Sequence, residues 1–382
     1  MKILVASSSR ADYDLLHPIV LELNKVKKIK CEFLITGSHF SKLLSTKLNK
    51  NTDNKIVKKY LNILNKKKTN TELIFSNAIK KFSGYLNRNR PDILMVLGDR
   101  FEVFSLVICA TFKKIPIAHI SGGELTEASM DDSIRHSITK LSHFHFVAND
   151  IYKKRVIQLG ENPNQIFITG GTGIDNIKNL NFYSKNQLEK ILCFKFKKYN
   201  FILTYLPVTY LNNQTSHKKE INTIISALAS FKDCNIFITY PNLDEGSREI
   251  IKEIKNFKKN NKNIKVFKTL GKARYLSILK HFDCLIGNSS SGITEAPYLG
   301  IPTINIGDRQ KGRLKSKSIV DCNPNRMEII KKVKKILNKK FRHKIQNQKT
   351  YYGSGNSSKK IVNIIRRISL KHILNKKFYN IK

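Results

Sequence analysis

No stretch of this 382-residue chain approaches the roughly 18 consecutive apolar residues that a membrane-spanning helix needs. The apolar run from Met1 to Ala6 breaks at once into Ser7-Ser8-Ser9-Arg10. That is too short for the core of a secretory signal and reads as a first β-strand. Cysteine is sparse: six residues, at 31, 109, 193, 234, 284 and 322, with no C-x-x-C pair. Such scatter argues against a structural zinc site and a disulfide framework, and it fits a reducing, cytoplasmic setting. No Walker A and no G-x-G-x-x-G pattern follows the first strand, which disfavours ATP and NAD as ligands. No His/Cys/Asp grouping has metal-ligand spacing, so neither a metal nor another cofactor is expected.

Acidic residues are also few, 28 against 70 Lys and Arg, for a formal net charge of +42. Taken alone, that balance suggests nucleic acid. Its distribution argues otherwise. Residues 92–175 hold ten acids and eight bases, and after Glu328 there are 17 Lys or Arg and no acid. The basic stretches mix Lys with Asn and Ile, as in 42–70, and contain no Arg-rich or Gly-Arg repeat. They read as solvated lysine faces, with at most a steering role for an anionic substrate. Neither nucleic acid nor a membrane is an expected partner.

What the chain does have is strand–helix alternation. Lys2–Ser7, Cys31–Thr36, Asp92–Leu97, Pro116–Ile120, His143–Ala148 and Gln165–Thr169 read as strands, being short and rich in Ile, Val and Phe. Between them, Asp14–Lys28, Thr71–Asn89, Glu102–Lys113, Asp132–Leu141 and Ile151–Leu159 read as helices. The pattern pauses near 172–198 and restarts, with strands at Asn200–Tyr205, Asn235–Thr239, Ile264–Phe267, Cys284–Ile286 and Pro302–Ile306. Such alternation predicts an α/β protein of parallel sheets with right-handed crossovers. The expected architecture is two doubly wound, Rossmann-like domains facing across a cleft, at 1–175 and 195–350. A C-terminal helical segment at 355–382 should pack back on them.

In open parallel sheets, ligands sit at the carboxyl ends of the strands, so those ends locate the chemistry. Asn288-Ser289-Ser290-Ser291-Gly292 follows a strand, and a helix over Ile293–Leu299 is expected next. Small residues ahead of a helix N-terminus suit a diphosphate, although an ordinary serine cap fits the same letters. Glu295, one turn on, could accept from ribose hydroxyls or merely complement the helix dipole. Gly98-Asp99-Arg100 ends a strongly apolar strand, and Glu124 follows Gly122-Gly123 just past another. Asp131 and Asp132 open a helix. Capping accounts for one of them, but not for two adjacent acids with Arg135 and His136 in the next turn. Several carboxylates near cations can have their pKa values pushed apart, which acid–base chemistry needs. Arg10 ends the first strand and Arg309 the last strand of the second half, placed to clamp a diphosphate. Arg100 and Asn242 stand at further strand ends as substrate contacts.

Together these residues resemble the hydrolysing UDP-N-acetylglucosamine 2-epimerases of sialic and legionaminic acid biosynthesis. The matching segments are SRADYD at 9–14, GDRFEV at 98–103, HISGGE at 119–124, DDSIRHSITKLSH at 131–143 and GNSSSGITEAPYLGIPTINIGDRQKGR at 287–313. The resemblance runs from residue 1 to about 322 and is weakest over 42–90. It implies a GT-B fold, with the nucleotide on the C-terminal domain and the sugar facing the N-terminal one. It implies the reaction of UDP-N-acetylglucosamine with water to N-acetylmannosamine and UDP, by elimination to a 2-acetamidoglucal and hydration. By motif position, Asp99, Asp131 and Asp132 match the family's catalytic acids, and Ser289, Ser290 and Glu295 its nucleotide contacts. The resemblance also implies a homo-oligomer, a dimer or tetramer.

Two positions depart from the family pattern. Ser121 stands where some relatives carry a functional Glu, so Glu124 is expected to serve instead. Leu206-Pro207-Val208-Thr209 stands where relatives read His-Pro-Val-Thr, with Leu206 expected near the nucleotide. Three alternatives remain on these grounds. One is the same reaction on a UDP- or GDP-linked 2,4-diacetamido-2,4,6-trideoxyglucose. The second is a GT-B glycosyltransferase, and the third a basic polyanion-binding protein.

Overall fold

The computed structural model describes residues 1–40, 56–64, 70–127, 129–208, 216–241, 246–346 and 348–381. Within it the chain divides into two compact units. The first comprises Met1–Glu124, Asp131–Lys178 and Tyr352–Lys382, and the second Leu125–Met130 and Asn179–Tyr351.

The first unit is built on a seven-stranded sheet of β1 (Lys2–Ser7), β2 (Lys30–Ile35), β3 (Val57–Tyr60), β4 (Ile93–Leu97), β5 (Ile117–Ile120), β6 (Phe144–Val147) and β7 (Ile166–Ile168). Every pairing is parallel, in the order β3-β2-β1-β4-β5-β6-β7. A parallel sheet covered on both faces needs strands that are apolar throughout. Ile93-Leu94-Met95-Val96-Leu97 meets that condition, with all five residues buried. One face packs Leu16, Ile19, Val20 and Leu23 of the helix Arg10–Asn24, together with Ile361 and Ile365 of the helix Ser357–Ile365. The other packs Phe82 and Leu86 with Val103, Leu106 and Val107. Each such side chain contributes about 1.5–3 kcal/mol by leaving water.

The second unit repeats the design with β8 (Tyr199–Thr204), β9 (Cys234–Thr239), β10 (Ile264–Phe267), β11 (Cys284–Gly287), β12 (Thr303–Ile306) and β13 (Ile319–Cys322), in the order β10-β9-β8-β11-β12-β13. These strands are also all parallel. In both sheets the winding reverses between the first strand of the unit and its fourth. That places the topological switch points, where doubly wound folds bind ligands, between β1 and β4 and between β8 and β11.

The predicted fold class is therefore observed, with local corrections. Two edge strands escaped the sequence. β3 is Val57-Lys58-Lys59-Tyr60, too rich in lysine to read as a strand, and β13 is half exposed. The stretch 172–198, where the strand–helix pattern pauses, holds the helices Thr172–Lys178 and Lys185–Leu192. The first helix begins at Arg10 and not at Asp14, because Ser9 caps it by accepting from the Asp12 N–H at 3.2 Å. No regular helix runs over Ile293–Leu299. A 3₁₀ turn, Ser290–Gly292, is followed by a single helical turn, Glu295–Tyr298. The dipole of so short an element is small, so an anion there would depend on individual N–H and hydroxyl donors.

Candidate functional site

At the switch point of the first unit, β1 ends in Ser7-Ser8-Ser9. Asp12, one turn into the following helix, is buried and accepts from Ser8 Oγ at 2.8 Å and Ser8 N–H at 3.3 Å. Burial raises its pKa, against the pull of nearby Arg100. Arg10 opens the same helix. Its Nη1 is buried with no hydrogen-bond partner among the described residues, and burial lowers its pKa against the pull of Asp14.

β4 turns out at Gly98 into Asp99 and Arg100. Arg100 forks onto Glu102, with Nε to Oε2 at 3.1 Å and Nη2 to Oε1 at 3.2 Å, so it is committed within the chain. Asp99 pairs with Nη2 of Arg135, a guanidinium only 1% exposed. Nη1 of the same arginine donates to the Glu124 carbonyl at 3.0 Å and to Asp132 Oδ1 at 3.3 Å. His136 Nε2 lies 3.5 Å from Asp132 Oδ2. Arg135 is thus the hub that draws three sequence-separated elements together: the turn after β4, the loop after β5 and the first turns of the helix Asp131–Leu141. Three of the four expected acids, Asp99, Glu124 and Asp132, meet at this hub, Glu124 through its backbone. Asp131 opens the helix alongside them.

His119, on β5, has a role the sequence did not disclose. Its Nε2 lies 2.8 Å from the Gly98 carbonyl, which can only accept, so Nε2 carries the proton. Nδ1 lies 3.1 Å from the Thr139 hydroxyl, which also donates to the Arg135 carbonyl at 3.0 Å. The ring is wholly buried, and burial takes its pKa down to about 3. His119 is therefore a neutral strut that fixes the carbonyl just before Asp99. Ser121, two residues on, has φ 67°, a left-handed conformation uncommon for a residue with a side chain.

At the switch point of the second unit, Asn288 is the organising residue. It is fully buried, and its amide bonds both backbone groups of Leu206, just past β8. Its own carbonyl accepts from Arg309 Nη1 at 3.1 Å and Gln310 Nε2 at 2.9 Å. Asn288 follows Gly287, which has φ 124° and where an added Cβ would stand 2.1 Å from the Thr204 carbonyl. Only glycine allows β8 and β11 to approach this closely. Ser289 caps the 3₁₀ turn through the Ser291 N–H at 3.3 Å, while Ser290 is exposed. Burial pushes the Glu295 pKa up, against a hydrogen bond from Thr294.

Ser289, Ser290, Glu295 and Arg309 therefore gather at one strand-end cluster. Leu206 is 8% exposed, so its side chain is largely covered. Asn242 and Thr209 lie outside the described residues. Among the described residues no group of three His, Cys, Asp or Glu could hold a metal ion. No described helix is long and apolar enough to cross a membrane.

The sequence profile of the UDP-N-acetylglucosamine 2-epimerase family matches residues 21–366. A Campylobacter jejuni protein named GDP/UDP-N,N'-diacetylbacillosamine 2-epimerase (hydrolyzing) is 37% identical over 386 residues, covering 100% of this chain and 99% of its own. An Escherichia coli polysialic acid biosynthesis protein, P7, is 35% identical, covering 100% of this chain and 97% of its own. Among solved structures, the Neisseria meningitidis UDP-GlcNAc 2-epimerase bound to UDP-GlcNAc superposes with a TM-score of 0.81 at 21% identity, covering 96% of this chain and 100% of that one. That likeness establishes the same GT-B-like fold.

Proposed function

Since the chain belongs to the UDP-N-acetylglucosamine 2-epimerase family, among its hydrolysing members, we propose that it hydrolyses and epimerises a nucleotide-linked 2,4-diacetamido-2,4,6-trideoxyglucose. The observation that carries the catalytic half of this reading is the convergence of the Asp99 and Asp132 carboxylates on the buried Arg135, which also holds the Glu124 backbone carbonyl. The name of the C. jejuni relative supports the choice of sugar. UDP-N-acetylglucosamine, favoured by the sequence motifs and by the family's description, is the second reading.

The chemistry follows from the residue types. A carboxylate among Asp99, Glu124, Asp131 and Asp132 removes the proton on sugar C2. The electron pair forms the C1–C2 double bond as the C1–O bond to the nucleotide diphosphate breaks. Arg10 and Arg309, with the hydroxyl and N–H donors of Ser289 and Ser290, take up the charge on the departing diphosphate. Water then adds across the double bond, its oxygen to C1 and a proton to C2 on the opposite face. A second carboxyl group supplies that proton. Arg135, bonded to Asp99 and Asp132, holds these two carboxylates in place. Arg100 contacts the substrate, and Glu295 accepts from the ribose.

The deciding experiment incubates the enzyme in heavy water with UDP- and GDP-N,N'-diacetylbacillosamine and with UDP-N-acetylglucosamine. Free nucleoside diphosphate and a C2-inverted sugar carrying one deuterium at C2 are expected, fastest with a diacetamido substrate. Retention of the original C2 hydrogen would exclude elimination. A clear preference for UDP-N-acetylglucosamine would select the second reading.

A further inference from the structure

The catalytic reading makes no use of the buried charge at the far end of the helix Asp131–Leu141. The last carbonyls of a helix lack intrahelical donors and must find others. Ser142 supplies two, with its N–H to the Thr139 carbonyl at 3.0 Å and Oγ to the Ile138 carbonyl at 2.7 Å. The Lys140 carbonyl finds its donor 236 residues away. Lys376 Nζ, from the C-terminal tail, donates to it at 2.5 Å and to the Ser142 carbonyl at 2.7 Å.

The third donor of that ammonium meets Glu161 Oε2 at 2.6 Å. The Glu161 side chain, 2% exposed, also holds His145 Nε2 at 3.0 Å and Lys140 Nζ at 3.0 Å. Burial works to raise the Glu161 pKa, but the hydrogen bonds from His145 and Lys376 more than offset it, so it sits below the ordinary carboxylate range. Neighbouring tail residues fit as closely. The Tyr379 N–H donates to the Gly160 carbonyl at 2.9 Å. The Phe378 ring lies 4.6 Å from Lys140 Nζ and covers Gly160 so tightly that an added Cβ would come within 2.3 Å of it.

We infer that Lys376 is a positioning residue for the acid cluster: the C-terminal tail caps the carboxyl end of the helix whose first turn carries Asp131 and Asp132, and so fixes where those carboxylates stand. The inference rests on the proposed catalytic use of those acids. The helix is 11 residues long, roughly 16 Å at 1.5 Å per residue. Its middle is held by Arg135, so a tilt of its last turn about that point also moves its first turn. A displacement of about 1 Å in a catalytic group can cost on the order of a hundredfold in rate. A cation at the carboxyl end also complements the helix dipole.

The test compares full-length Lys376→Met, Lys376→Arg and Glu161→Gln, with Lys371→Met, an exposed lysine of the same tail, as control. Hydrogen exchange over 131–142, thermal melting, UDP affinity and kcat are measured. Faster exchange in the helix is expected for Lys376→Met and Glu161→Gln, with kcat per folded molecule down roughly five- to fiftyfold and UDP affinity within twofold. Lys376→Arg should recover most of the rate, and Lys371→Met should match the parent. Unchanged exchange, or a rate that falls only with the unfolded fraction or together with UDP affinity, would overturn the inference. Exchange is read without substrate, so its outcome is separate from the acid assignments, which Asp131→Asn tests on its own.

Discussion

The side chain of Asn288 brackets the backbone of Leu206, accepting its N–H at 2.7 Å and donating to its carbonyl at 2.8 Å. The pair joins the ends of β8 and β11 at the switch point of the second unit, where neither strand can bond further along the ladder. Asn288 also receives Arg309 and Gln310 on its own carbonyl. One buried residue, through its side-chain amide and its backbone carbonyl, thus ties together three loops that carry the proposed nucleotide contacts.

Asn288→Ala should therefore damage both stability and binding. It strands the buried N–H and carbonyl of Leu206, each worth about 1–3 kcal/mol when left unsatisfied. A loss of about 2–4 kcal/mol in urea unfolding is expected, with UDP affinity by calorimetry weakened at least tenfold. Full UDP affinity in the folded variant would show that these loops do not need the bracket.

The resemblance seen in the sequence leads one to expect histidine where Leu206 stands, and an apolar side chain can neither donate to a phosphate nor shuttle a proton. Because Asn288 fixes its backbone, Leu206→His should alter the side chain without moving the strand end. We expect kcat/KM for the true substrate to rise by up to roughly tenfold, about 1.4 kcal/mol of transition-state binding. A fall of tenfold or more would mean that the covered position at 206 has been shaped around leucine.

Acid–base and nucleotide roles should separate cleanly on mutation. Asp99→Asn or Asp131→Asn should lower kcat by roughly 10²–10⁴-fold while UDP affinity stays within a few-fold. Ser290→Ala and Glu295→Ala should weaken UDP binding first. Asp99→Asn leaves Arg135 still bonded to Asp132 and the Glu124 carbonyl, so the fold should survive. An unfolded Asp99→Asn protein would recast that acid as structural.

His119 makes stability depend on pH in a defined direction. Its pKa is lowered by burial to about 3 in the fold, against about 6.5 unfolded. Its contribution is complete above pH 6.5 and is lost as pH falls from there towards 3, because only the unfolded chain takes up the proton. The slope is at most about 1.4 kcal/mol per pH unit. Urea unfolding at pH 7, 6 and 5 should show a shallower dependence in His119→Gln than in the parent, by about one proton. Equal slopes would mean that His119 titrates alike in both states.

The sequence by itself determined what local pattern can determine. Runs such as Ile93–Leu97, apolar on both faces, announced parallel strands, and the residues at strand ends offered Asp99, Glu124, Asp131 and Asp132 as candidates, of which the fold joins the Asp99 and Asp132 carboxylates through Arg135. The edge strands β3 and β13 were illegible because an edge residue need satisfy only one neighbour, as the lysines of β3 show, whereas the more apolar edges β7 and β10 were read. The helix expected after Asn288 was misread because Ser290–Gly292 closes on itself as a 3₁₀ turn. Tertiary structure decided the rest, since the deciding contacts join residues far apart in the chain. Arg135 reaches Asp99 across 36 positions, Asn288 reaches Leu206 across 82, and Lys376 reaches the Lys140 carbonyl across 236. No periodicity encodes such pairings. They form because a buried guanidinium or amide, or a half-buried ammonium such as that of Lys376, must find partners within the fold, and only the folded chain shows which partners are in reach.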